Sequence, residues 1–174
     1  MDKELTCCFT GHRPSKLGFT ETSEAGIQLK NRIASEILGL ITERGVKHFI
    51  SGAAMGVDTY AAETVLKLRE VFPDITLECA VPCRTQSRKW SAANRERYEA
   101  LLGKADKVTV LHEFYTYACM KDRDRYMTDN ADIVLAVWNG SPGGTAYTVA
   151  YAREQGREII ILPETQSEKN NEES

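Results

Sequence analysis

The sequence predicts an α/β domain in which a mostly parallel sheet carries helices on both faces. Three observations support this. Apolar runs of strand length alternate with helix-like segments along the chain. The runs are apolar throughout, not at every second residue, as strands covered on both faces require. The unusual glycines and polar residues fall just after the runs, where open α/β sheets place their ligands.

LTCCFT, residues 5–10, reads as a buried first strand that stops at GHRP. Between Ser23 and Arg44, Ile33, Ile37 and Ile41 recur at four-residue spacing, one face of an amphipathic helix, and Gly45 fits its stop. KHFIS is the second strand and runs into GAAMGVD. A second helix is expected from about Val57 to Phe72, before Pro73. ITLECAV is the third strand, ended by Pro82; SAANRERYEALLGKA is helical; DKVTVL is the fourth strand; HEFYTYAC is a loop. MKDRDRYMTDNA is helical, DIVLAVW the fifth strand, TAYTVAYAREQG a helix and REIIIL the sixth strand. Together these predict a three-layer Rossmann-like domain over residues 1–163, with a polar, frayed tail over 164–174.

The chain has 174 residues, 42% apolar and 27% charged, with net charge −3 and pI near 5.7. That acidic balance provides no general attraction to nucleic acid or anionic membranes. No apolar stretch is long enough to span a bilayer, and no segment of signal-peptide length opens the chain, so the cytoplasm is the expected compartment. Five cysteines, an odd number, argue against a disulfide framework. Cys79 and Cys83 have no companion pair at zinc-site spacing, so no metal is expected. No cofactor is expected either.

Four clusters follow predicted strands. In SPGGT, Gly143 and Gly144 permit close backbone approach, and a helix starting at Thr145 points free N–H groups at an anion. A plain turn with a Thr cap fits the same residues, and the Walker ending Gly-Lys-Ser/Thr is absent. In SGAAMGVD, Gly52 and Gly56 flank small residues, and Asp58 lies in the first helical turn. Asp58 serves either the helix dipole or a ribose diol. TGHRP offers Gly11 for close approach, Arg13 as a planar fork for phosphate, and His12 as a weaker contact. The fourth cluster, HEFYTYAC, holds Tyr115 and Tyr117; with Trp90 and Tyr98 these are candidates for stacking on a base. In the helix after that loop, Met120, Arg123 and Met127 share a face, so Arg123 is drawn inward and needs an anionic partner. No Ser-His-Asp or Cys-His arrangement is visible, so the catalytic residues are unknown.

At these motifs a family resemblance becomes specific. SGAAMGVD resembles the Ser-Gly-x-Ala-x-Gly-Ile-Asp motif of DNA-processing protein A. MKDRDRYM, the following Asp132 and PGGT resemble the lonely-guy phosphoribohydrolases, which release a base from a nucleoside monophosphate. Both belong to the SLOG superfamily of Rossmann-like domains. With FTGHRP and the chain length, the combination most resembles its YpsA-like branch of small bacterial proteins, from Phe9 to about Leu162. Against the phosphoribohydrolase pattern, Met120, Arg123, Met127 and Asp132 match, while Asp124 stands where a Lys belongs. Pro142, Gly143 and Gly144 match, but the Glu that assists glycosidic cleavage is replaced by Ala150 or Thr148, depending on alignment.

The resemblance therefore implies a binding protein for a nucleoside monophosphate or ADP-ribose-like ligand, in a sensing or regulatory role. The expected ligand contacts are Gly11, His12, Arg13, Gly52, Gly56, Asp58, Arg123, Gly143, Gly144 and Thr145. The alternatives are a nucleotide N-glycosidase, against which the missing Glu counts, and a single-stranded DNA binder. The latter would use Arg84, Arg88, Lys89, Arg95 and Arg97 around Trp90, although the interspersed Glu96 and Glu99 also fit a plain solvated helix. Superfamily habit implies a homodimer.

Overall fold

Each apolar run becomes a strand in the computed structural model, which describes residues 3–165. The strands are β1 (Leu5–Gly11), β2 (Val46–Ser51), β3 (Thr76–Cys83), β4 (Lys107–His112), β5 (Ile133–Val137) and β6 (Glu158–Leu162). They form one sheet in the order β4-β3-β2-β1-β5-β6, with every neighbouring pair parallel. The helices are α1 (Pro14–Leu17), α2 (Glu24–Thr42), α3 (Val57–Arg69), α4 (Ala92–Lys104), α5 (Cys119–Asp129) and α6 (Gly144–Glu154).

Alternating residues of the central strand supply both cores. Phe9 stacks on Phe49, at a centroid distance of 5.9 Å, in the larger core, which also takes Cys7, Ile33, Ile37 and Val65. Cys8, one residue along, belongs to the smaller core with Met127, Val134 and Ala152. All five cysteines are free and buried. Among the described residues, no helix is long and apolar enough to cross a membrane.

Three local features depart from the sequence reading. The short helix α1 follows His12-Arg13, with Pro14 at its first position and Gly18 closing it at φ +75°. Strand β3 runs through Pro82 to Cys83 instead of ending before it. Its pairing with β2 stops at Cys79, so Pro82 lies where only β4 remains alongside, and a missing N–H is tolerated there. Glu164, expected in the frayed tail, is 6% exposed and lies against His12. The rest of that expected tail, residues 166–174, lies outside the described residues.

The strand order fixes where a site can form. The chain moves outward from β1 through β2 and β3 to β4, then returns to place β5 on the other side of β1. Connections on the two sides of this reversal leave toward opposite faces, and a crevice opens beyond the C-terminal ends of β1 and β5.

Candidate functional site

A cleft of about 170 Å³ occupies that crevice. One lip is the segment after β1, with Arg13 and Lys16; the other is the start of α6, with Gly144 and Thr145; Asp58, Arg123 and Asp124 line it from α3 and α5. A larger groove of about 430 Å³ lies between α3 and α4, lined by Glu63, Lys67, Arg69 and Arg97. It includes Arg97 of the basic segment but none of the residues of the three glycine motifs.

The α6 lip is preformed. Trp138 donates its indole N–H to Ser141 O at 2.8 Å, and Ser141 N–H donates to the Asn139 side chain at 2.9 Å. Gly143 precedes the helix at φ +141°, a region only glycine enters without strain. The first helical acceptor, Gly143 O, takes the Tyr147 N–H; among the described residues nothing accepts from the N–H groups of Gly144, Thr145 and Ala146. A methyl group at Gly144 would have no protein atom within 4 Å. The fold therefore does not require glycine at position 144.

The opposite lip supplies charge. Lys16 Nζ lies 3.5 Å from where a Cβ of Gly143 would sit, so the ammonium faces the glycine turn. Neither Arg13 nor Lys16 has a carboxylate within 4 Å among the described residues. Lys16 is a residue the sequence reading did not single out. Its position reflects a four-residue helix too short to leave a periodicity.

Arg123 is 6% exposed and already engaged. Its Nε donates to Asp124 Oδ1 at 2.8 Å, and its Nη1 donates to Gly52 O at 2.8 Å. The anionic partner expected for it is thus the residue that replaces the phosphoribohydrolase Lys. Burial alone would lower the Arg123 pKa, but the charges of Asp124 and Asp58 outweigh that and hold it raised. Burial also pushes the Asp124 carboxyl up, against the pull of Arg123. It pushes Asp58 up to about 6, with Arg123 opposing and Asp124 adding to the rise.

The remaining expected contacts meet protein atoms. A Cβ on Gly11 would come within 2.6 Å of the Val57 side chain. On Gly52 it would meet Arg123 Nη1 at 2.5 Å and Asp58 Oδ2 at 2.7 Å; on Gly56, at φ +90°, it would meet His12 O at 2.5 Å. These three glycines let α3 and the Arg123 side chain close on the strand ends. His12 is 7% exposed and lines the cleft; its Nδ1 lies against the Glu164 carboxylate, and its Nε2 has no partner among the described residues. Asp132, matched by the resemblance, lies at the other end of the sheet, where Oδ2 accepts the Thr6 N–H at 2.9 Å.

The basic-aromatic segment is partly neutralised. Arg97 is bound to Glu21 and Glu63, Arg84 to Glu113 at 2.7 Å, and Trp90 packs edge-on against the buried Tyr98 at 5.2 Å. Tyr115 and Tyr117 are 67% and 98% exposed on the loop between β4 and α5. No cluster of three or more metal-ligating side chains occurs among the described residues.

A doubly wound parallel sheet with glycine turns and a polar cleft at its reversal point defines a Rossmann-like domain. More particularly, the chain belongs to the YpsA family: the model described as the YspA SLOG family matches residues 7–160. A UPF0398 protein of Bacillus thuringiensis (strain Al Hakam) is 28% identical over 150 residues, which is 84% of this chain and 82% of that protein. A UPF0398 protein of Bacillus cereus (strain B4264) matches equally. Among solved structures, DNA processing protein A from Streptococcus pneumoniae superposes with a TM-score of 0.65 at 18% identity over 92% of this chain. The same protein from Helicobacter pylori, described for its single-stranded DNA binding mode, superposes at 0.63 with 16% identity over 91% of this chain. The present chain spans 50% and 65% of those two proteins, so the likeness is one of fold.

Proposed function

We propose that the protein binds a small nucleotide-derived ligand, a nucleoside monophosphate or ADP-ribose-like molecule, through its phosphate, in a sensing or regulatory role. One observation carries this reading. Two cations without carboxylate partners, Arg13 and Lys16, line the same cleft as the uncapped N-terminus of α6, where Gly144 leaves room that no protein atom fills. Helix N–H groups, dipole and cations all favour an anion there. Arg123 supports the site by holding Asp124 and the Gly52 carbonyl, and it spends its hydrogen bonds on protein.

Calorimetric titration with AMP and ADP-ribose tests the proposal. Lys16→Ala and Gly144→Ala leave the fold intact, since neither removes a contact the core needs. Each is expected to weaken binding by about tenfold, Lys16→Ala through the loss of one charge-assisted contact and Gly144→Ala through a methyl group in the space left for the anion. Binding of neither nucleotide, or binding indifferent to both substitutions, refutes it. N-glycosidase activity is not expected: of the two residues that align with the missing Glu, Ala150 has no acid group and Thr148 donates its hydroxyl to Gly144 O at 3.1 Å.

A second reading, single-stranded DNA binding, is favoured by the DNA binding described for the Helicobacter pylori neighbour. In this chain it would draw on exposed Arg88, Lys89 and Arg95. Oligonucleotide binding that falls steeply with salt supports it, and no binding at low salt ends it.

A further inference from the structure

We propose that the cleft reads a ribose 5-phosphate unit, with the phosphate on the α6 lip and the vicinal diol on Asp58, and leaves the base outside. This rests on the anion-binding reading of the same cleft.

A site for phosphate alone has no use for carboxylates, which repel it. This cleft nevertheless contains two, Asp58 and Asp124, opposite the cationic lip. Their roles differ. Asp124 takes the Arg123 Nε–H, while the other Arg123 donors go to the Gly52 carbonyl and the Met120 sulfur. Asp58 accepts the Ala54 backbone N–H, and its Oδ2 lies against Gly52 beside that guanidinium, but it receives no side-chain hydrogen bond among the described residues. After the Arg123–Asp124 pair is formed, Asp58 therefore keeps acceptor capacity beyond the single Ala54 N–H.

A ligand that fits must bring an anion at one end and hydrogen-bond donors at the other. Two adjacent hydroxyls suit a carboxylate, each O–H donating to one oxygen, and add no charge beside Arg123. A cation is less suitable, because the Arg123 guanidinium stands against both carboxylates. An anion followed by a vicinal diol is the pattern of a ribose 5-phosphate.

Size and lining place the base outside. Drug-sized ligands fill pockets of roughly 300–1,000 Å³, and this cleft offers about 170 Å³. Phe9, the one Phe, Tyr or Trp of its lining among the described residues, is 2% exposed and stacked on Phe49 in the core. His12, the other ring in the lining, is 7% exposed and lies against Glu164, so among the described residues no Phe, Tyr or Trp face is open in the cleft for a base.

The test is calorimetric titration of the full chain with ribose 5-phosphate, inorganic phosphate, 5′-AMP, 5′-CMP and 5′-dAMP. AMP, CMP and ribose 5-phosphate are expected to bind alike, and dAMP at least about tenfold more weakly, because it leaves a buried acceptor short of a donor. Asp58→Asn should remove most of the AMP/dAMP difference while inorganic phosphate binds as before. Equal binding of AMP and dAMP, or strong dependence on the base, overturns the inference and leaves the phosphate site standing. Failure of every compound, inorganic phosphate included, overturns both. The AMP/dAMP comparison needs no variant, so it decides even if Asp58→Asn does not fold.

Discussion

Asp58 is held at a cost that pH reveals. Burial pushes its carboxyl from 3.8 up to about 6. Below the lower value it is protonated in folded and unfolded chains alike. Between the two values the unfolded chain releases a proton that the folded chain keeps, so stability falls as pH rises; above about 6 the loss is complete. Asp58→Asn removes the charge without changing the shape. It should raise thermal stability at pH 7.5 by roughly 1–2 kcal/mol, some 2–6 °C for a domain this size, and give no gain at pH 3.5. Melting curves at the two pH values check this; a gain of equal size at both would place the cause elsewhere. Arg123 behaves in the opposite way, since without it two buried carboxylates would face each other uncompensated. The sequence signalled that Arg123 needs a partner, because Met120 and Met127 share its face. The identity of the partner was hidden, because adjacent residues on a helix do not normally face each other. The Arg123 side chain instead bends back to Asp124 at 2.8 Å.

Among the elements, the glycines divide by what they touch. Gly11 ends β1 where the N-terminus of α3 presses on it, and any Cβ would overlap Val57. Gly11→Ala should destabilise by about 1–3 kcal/mol through overpacking. Gly144→Ala sits in a helical first turn with open space beside it and should be neutral or stabilising by up to about 1 kcal/mol. Urea titrations of the two variants give the comparison; equal losses would mean that the α6 lip is packed as tightly as the β1–α3 contact. This division could not be read from sequence, where all five glycines of the three motifs look alike. The strands and the five longer helices were legible because continuous apolar runs and four-residue spacing survive in one dimension. Helix α1 was not, and with it Lys16 was missed. The partners of both lips are settled by contacts across more than a hundred residues, Lys16 with Gly143 and His12 with Glu164.

At the scale of the whole molecule, the reversal of strand order beside β1 does most to place the cleft. Alternation of strands and helices implies a doubly wound sheet, and the motifs cluster at its C-terminal edge, but the order β4-β3-β2-β1-β5-β6 is what brings residues 11–16 beside residues 143–145. The outer helices on one side are tied by ion pairs: Arg97 on α4 holds Glu21 and Glu63, and Glu21 is pulled down to about 2 by Arg97 first and Lys30 second. The stability this adds is present above the ordinary carboxylate range and is lost on acidification toward pH 2, the reverse of the Asp58 effect. The central strand has another consequence. Cys7 and Cys8 adjoin in sequence but belong to opposite cores, and burial raises the pKa of both thiols. They are a pair of built-in chemical clocks, one per layer. Pulsed alkylation read by mass spectrometry should modify neither in the native protein. In mild denaturant, simultaneous labelling would show that the sheet sheds both helical layers at once, and labelling of Cys8 first would show that the thinner α5–α6 side opens while the other holds.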